Sequence, residues 1–160
     1  MSENLGKKFE ESFRRNWLKV FPDTFIYRLP DQMSGYKQTS NNPCDFLAFP
    51  EGDKLFMIEC KEHKGASIPL SAIPQYDRLL SFKNIKNVYP GVLVWLSEKD
   101  TIFWCPIESM EAAVKDGNKS FGIKMLKEKS YNMLEIPSVK RRTFLECDYS
   151  VLIDWVEENK

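Results

Sequence analysis

One histidine, His63, is all the imidazole in this chain of 160 residues. A His-based triad or histidine-type zinc site would have to take an unusual form. The residue follows an apolar run and reads as a polar surface residue in a loop. The four cysteines, Cys44, Cys60, Cys105 and Cys147, are widely spaced with no C-x-x-C pair, which points away from both a zinc framework and a disulfide scaffold. Buried free thiols are expected instead. No apolar run approaches the roughly 18 residues needed to span a bilayer, so no membrane association is expected. The start, Met1-Ser2-Glu3-Asn4, lacks the basic and apolar regions of a secretory signal, and a cytoplasmic location follows as the expectation. Net charge is equally spare. With 23 basic and 23 acidic residues the formal balance is +0, which supplies no global attraction to nucleic acid.

A length of 160 residues and a hydrophobic content of 42% suit a single domain spanning 1–160, with a core that needs no covalent staples. Charge is unevenly spread along it. Residues 119–142 carry seven basic residues (Lys119, Lys124, Lys127, Lys129, Lys140, Arg141, Arg142) against Glu128 and Glu135, and residues 143–160 carry five acids against Lys160. Such a basic stretch fits either a solvated surface or phosphate contacts.

The most informative stretch is Asn42-Pro43-Cys44-Asp45-Phe46-Leu47-Ala48-Phe49, a turn at Glu51-Gly52-Asp53, then Leu55-Phe56-Met57-Ile58-Glu59-Cys60-Lys61. Two apolar arms around turn residues predict a β-hairpin, yet Asp45, Glu59 and Lys61 stand at its far ends. Side chains alternate, so Glu59 and Lys61 share one face while Ile58 and Cys60 face the core. A two-residue turn would set Asp45 opposite Cys60. A three-residue turn pairs Pro50 with Lys54 and sets Asp45 opposite Glu59; that register, or a bulge of equal effect, is expected. Two carboxylates about 5 Å apart repel unless a cation or proton lies between them. Magnesium, which takes one or two protein carboxylates and completes its shell with water and phosphate, answers that need. Lys61 on the same face can then orient a water or offset charge on a phosphate, which suits phosphodiester hydrolysis. The same residues also read as a turn cap and an exposed strand pair, and both readings stay open on pattern alone.

In the first segment Leu5, Phe9, Phe13, Trp17 and Val20 recur at helical spacing and predict a helix over 3–20 with one buried stripe, ended by Pro22-Asp23. Glu10 lies at the edge of that stripe, as a supporting acid or an ordinary surface acid. Residues 24–29 predict a short strand leading to Arg28, and 30–42 a polar loop in which Tyr36 and Lys37 can meet a phosphate or a base. After the hairpin a helix is expected from an N-cap at Ser71 to about Ile85, with Gln75 in its first turns, either facing the charged rim or on the surface. Residues 88–97 read as a central strand, apolar on both faces, 101–105 as a strand, 107–116 as a helix closed by Gly117, 118–143 as loop with one short strand, and 149–158 as a final helix. This order predicts an α/β sandwich with a mixed central sheet.

The set Glu10, Asp45, Glu59-Cys60-Lys61 and Gln75, with Gly6 before Glu10, Ile68-Pro69-Leu70 leading to Gln75, and two strands from Gly91 to Trp104, resembles the PD-(D/E)XK nuclease superfamily and, more closely, the RecU-type Holliday junction resolvases. The resemblance covers most of the chain. It differs in having Pro43-Cys44 where such resolvases often have Thr-Thr, and in a 30–42 loop short for their protruding stalk. The resemblance implies a restriction-endonuclease-like fold, a mixed β-sheet flanked by helices. It further implies magnesium, with manganese a possible substitute, held by Asp45, Glu59 and the backbone carbonyl of Cys60, with Lys61 as the catalytic lysine and Glu10 and Gln75 supporting. The implied activity is structure-selective cleavage of branched double-stranded DNA by a homodimer placing paired nicks. Phosphate contacts would come from Arg14, Arg15, Arg28, Tyr36, Lys37, Lys64, Lys140, Arg141 and Arg142, with recognition by shape. Another endonuclease of the same fold, restriction-like or repair, and a non-catalytic DNA-binding module remain the alternatives.

Overall fold

The computed structural model describes residues 4–30 and 42–159. In chain order the elements are α1 (Leu5–Val20), β1 (Phe25–Arg28), β2 (Phe46–Phe49), β3 (Leu55–His63), β4 (Ser67–Pro69), α2 (Tyr76–Leu80), β5 (Val88–Leu96), β6 (Thr101–Pro106), α3 (Ile107–Lys115), β7 (Ser120–Gly122), α4 (Ile123–Glu128), β8 (Leu134–Glu135), β9 (Ser138–Lys140), β10 (Leu145–Cys147) and α5 (Val151–Glu158). Six strands form one sheet in the order β1-β2-β3-β5-β6-β8, while β4 pairs with β7 and β9 with β10. Only the β3–β5 pairing in the large sheet is parallel, because the chain crosses over between them. These two strands lie at the centre, and their near-continuous apolar runs are what burial on both faces requires.

The alternation of β3 splits the interior in two. Phe56, Ile58 and Cys60 join Phe46, Leu93 and Trp104 beneath α1 and α5, where Phe13, Trp17 and Tyr149 fill the space. Met57 joins Val92, Val94, Phe103 and Cys105 on the opposite face, against Leu79 of α2 and Met110 of α3. The molecule is thus a helix–sheet–helix sandwich with a mixed central sheet, as the element order predicts. The stripe on α1 buries Phe9, Phe13 and Trp17 as its spacing requires, and Asn4 caps the helix by accepting the Lys7 amide at 3.1 Å. Gly91 is needed where it stands: a Cβ there would lie 2.6 Å from the Trp104 ring.

Three expectations are corrected. The helix predicted from Ser71 to about Ile85 is broken: Leu70–Ala72 form a 3₁₀ turn, and α2 spans only Tyr76–Leu80. Pro74 explains this, since the residue before a proline is driven out of the helical region, and Ile73 leaves it at φ −121°, ψ 73°. Ser71 lies inside the 3₁₀ turn, and the residue at the head of α2 is Gln75. Residues 118–143, expected as loop with one short strand, hold three short strands, β7, β8 and β9, and the helix α4, which buries Met125 and ends where Lys129 turns left-handed at φ 52°. His63 is the last residue of β3, paired with Leu96 and half-buried, rather than a loop residue. All four cysteines are buried and free. Among the described residues no helix is long and apolar enough to cross a membrane.

Candidate active site

The site begins with the hairpin register. Phe46 pairs with Ile58 and Ala48 with Phe56; carried to the turn, this sets Pro50 against Lys54 around Gly52, left-handed at φ 53°, and at the other end, where the ladder stops at Phe46, the Asp45 side chain meets that of Glu59. This is the three-residue turn expected from the sequence. The strand also turns at Asp45. Its amide donates to the Ile58 carbonyl on β3 at 3.1 Å while its carbonyl accepts from the Leu29 amide beside β1 at 2.8 Å. In a regular ladder residue both groups address the same neighbour. The side chain takes over from the interrupted ladder: Oδ2 accepts the Cys60 amide at 2.9 Å.

Glu59 sits in an unusual position for a carboxylate. Its neighbour on β5 is Val92, fully buried, and Glu59 itself is 3% exposed. Burial first, then the charge of Asp45, pushes its carboxyl up to about 9, and its hydrogen bond with Asp45 and the more distant charge of Glu10 act in the same direction. Lys61, whose Nζ lies 3.7 Å from Oε1, opposes them. At neutral pH Glu59 therefore holds a proton unless a cation takes its place.

Arg28 links a third acid to this pair. Alternation in β1 turns Ile26 and Arg28 toward α1, and Ile26 packs against that core. The guanidinium forks onto Glu10, Nε to Oε2 at 3.1 Å and Nη2 to Oε1 at 3.2 Å, and Nη1 donates to the Leu29 carbonyl at 2.6 Å. Nη2 also stands 4.0 Å from Asp45 Oδ1. Glu10 is half-buried, as its place at the edge of the α1 stripe predicts. Arg28 was expected as a phosphate contact only. Its ion pair joins residues far apart in sequence, and the legible clue was the period of two that puts it on the same side as Ile26.

The remaining candidates are distributed. Gln75 stands at the head of α2, on the side of the sheet that carries Glu59, and its Oε1 is buried without a hydrogen-bond partner. Arg14 and Arg15 are exposed on α1, with the Arg15 guanidinium over the Phe144 ring at 5.0 Å. A groove of about 500 Å³ beside the site is lined by Lys7, Glu10, Arg14, Tyr27, Arg28 and Phe46. Lys7 was not singled out from the sequence, although it shares a helix face with Glu10 and Arg14. Lys64 is exposed just after β3. Lys140 is bound to Asp100 at 2.8 Å and Arg141 to Glu146 at 2.7 Å, while Arg142 is exposed nearby. The basic stretch is thus spread over α4, the β9–β10 pair and the segments between them. Tyr36 and Lys37 lie outside the described residues.

Among the described residues no group of three or more histidine, cysteine, aspartate or glutamate side chains converges to hold a metal ion. What the site offers is a pair of carboxylates, Asp45 and Glu59, and the Cys60 carbonyl, which in an extended strand points the same way as the amide bound to Asp45. That donor set fits magnesium, which draws one or two carboxylates from a protein and the rest from water and phosphate. A dication would also replace the proton on buried Glu59. The neighbouring thiols do not compete: burial chiefly, with the acids beside it, pushes Cys44 up to about 12, and Cys60 is raised well above its ordinary value by the same causes.

No protein-family model matches the sequence, and no curated protein matches it. In three dimensions the chain is similar to Hjc, a Holliday junction resolvase of the archaeal hyperthermophile Archaeoglobus fulgidus, with a TM-score of 0.52 and 23% identity, over 74% of this chain and 87% of that one. The likeness establishes the fold: a restriction-endonuclease-like mixed sheet flanked by helices.

Proposed function

We propose that the protein is a magnesium-dependent endonuclease of branched DNA that resolves four-way junctions by paired nicks. The observation that carries this reading is half-buried Asp45 beside buried Glu59, with Lys61 3.7 Å from Glu59, built at a strand end in the fold that Hjc also has. Asp45, Glu59 and the Cys60 carbonyl would hold magnesium, or manganese in its place, and the ion would supply positive charge against a phosphate.

The chain's own residues do the rest. The Cys60 amide fixes Asp45 at Oδ2, and Oδ1 faces the Arg28 guanidinium at 4.0 Å. The Lys61 ammonium stands beside Glu59, where it orients an attacking water and offsets charge developing on the phosphate. Arg28 holds Glu10 against the site and presents positive charge beside Asp45. Phosphates on either side of the cut would meet Lys7, Arg14 and Lys64, so binding should fall steeply with salt. Action at two opposed strands fits a homodimer, whose two-fold symmetry matches that of the junction.

The test is cleavage of a synthetic four-way junction, with and without magnesium, beside a linear duplex of the same sequence. Magnesium-dependent paired nicks in the junction alone are expected. Equal cutting of the linear duplex would make it a general endonuclease of the same fold, and no cutting of either would overturn the reading.

A further inference from the structure

Beside this site the sheet presents three rings to solvent. Phe25 and Tyr27 of β1 and Phe49 of β2 are 53%, 50% and 40% exposed. They pack on one another, Phe25 and Tyr27 with centroids 6.3 Å apart and planes at 18°, Phe25 and Phe49 at 6.0 Å and 67°. Exposed singly, such residues would call for no account. Here they form one patch.

The register says where the patch lies. Phe25 pairs with Phe49 and Tyr27 with Leu47, while Leu47 pairs with Met57. Met57 and Glu59 share a face of β3 by alternation, so the rings stand on the face that carries Glu59 and Lys61. At a rise of about 3.3 Å per residue, Tyr27 is about 7 Å and Phe25 about 13 Å along the strand direction from the Asp45–Glu59 row. That interval spans roughly two to four nucleotides at a stacked spacing of ~3.4 Å.

We propose that Phe25, Tyr27 and Phe49 form a stacking platform for unpaired bases of the DNA strand that enters the site. This rests on the endonuclease reading and adds the substrate feature it selects: a strand whose bases are unstacked next to the scissile phosphate, as at a branch point. The size of the patch favours bases over a protein partner: the exposed area of the three rings is on the order of 300 Å², less than half of the ~800 Å² that each side of a stable protein interface buries. The groove that Tyr27 also lines, toward α1, sets Lys7 and Arg14 beside Glu11, with Arg28 held on Glu10. Aromatic faces accept any base, which fits a site with no base-reading motif.

The experiment is fluorescence anisotropy in EDTA, where nothing is cut, comparing a duplex that carries a single-stranded branch with a blunt duplex of equal length. Tyr27→Ala with Phe25→Ala should weaken binding of the branched DNA about tenfold or more and of the blunt duplex less than twofold, while Tyr27→Trp retains the preference. Equal losses on both DNAs, or none on either, would overturn the platform and leave the endonuclease reading standing. A wild-type protein that binds neither DNA would bring down both. Sedimentation provides the remaining arm: variants that change the oligomeric state while keeping the preference for branched DNA would assign the patch to a second copy of the chain and overturn the proposal.

Discussion

The β2–β3 end of the sheet and the surface around β9 and β10 handle charge in opposite ways. On the β9–β10 surface three cations have an exposed or half-exposed acid within reach: Lys140 holds Asp100, while Arg141 and Lys19 share Glu146. Such pairs are screened by water and contribute little. At the β2–β3 end a nearly inaccessible glutamate faces a second carboxylate across the end of a strand, and one lysine does not offset the cost. In the stretch richest in lysine and arginine, Lys140 and Arg141 are held by acids, whereas at the β2–β3 end a few ionisable residues stand among phenylalanines and valines.

The sharpest way to break this contrast is Asp45→Asn. Magnesium-dependent cleavage should fall below detection while junction binding in EDTA stays within about twofold, because the change removes a ligand charge and leaves phosphate contacts in place; surviving cleavage would strike Asp45 from the metal site. Lys61→Ala should lower kcat by about 10²-fold or more with magnesium affinity retained, measured by titrating the ion against cleavage rate. Unchanged turnover would remove the lysine from the mechanism.

Glu59 offers a thermodynamic test that needs no substrate. Its folded-state value is raised, from 4.5 to about 9. The native protein therefore favours the protonated form, and the stability this contributes is fully present below pH 4.5 and lost as pH rises toward 9. In EDTA the wild-type protein should lose on the order of 3 kcal/mol between pH 5 and pH 8 from this group, or roughly 10 °C in Tm. Glu59→Gln should flatten that slope, and magnesium should stabilise the wild type more at pH 8 than at pH 5. A slope identical in wild type and Glu59→Gln would show that the carboxyl does not titrate as its burial requires. The smallest effect belongs to the other surface: Lys140→Ala and Arg141→Ala should shift Tm by no more than about 2 °C and leave junction cleavage within about twofold. A tenfold loss of cleavage would return these residues to the DNA interface.

Much of this was open to reading from local pattern, and the reasons are particular. The α1 stripe, the hairpin and the central strands follow from apolar periods that one segment displays by itself. The break at Pro74 was equally local, since a proline constrains the residue before it, and the helix expected across it failed on that rule. The helix α4 was hidden because its buried face is small: Met125 is buried while Ile123 and Leu126 are only half-covered.

By itself the sequence determined the hairpin register. A period of two and a turn of three residues leave only one pairing that buries Phe46, Ile58 and Phe56 together, and that pairing carries Asp45 to Glu59. Only the tertiary structure decided how that meeting behaves. Val92, on a strand thirty-odd positions downstream, stands beside Glu59 in a layer that leaves the glutamate 3% exposed, and the packing of α1 on β1 brings Arg28 to Glu10 and so to Asp45. Local pattern decides which face a side chain takes; its solvation and its distant charged neighbours depend on how the layers close, and those set the chemistry of a buried acid.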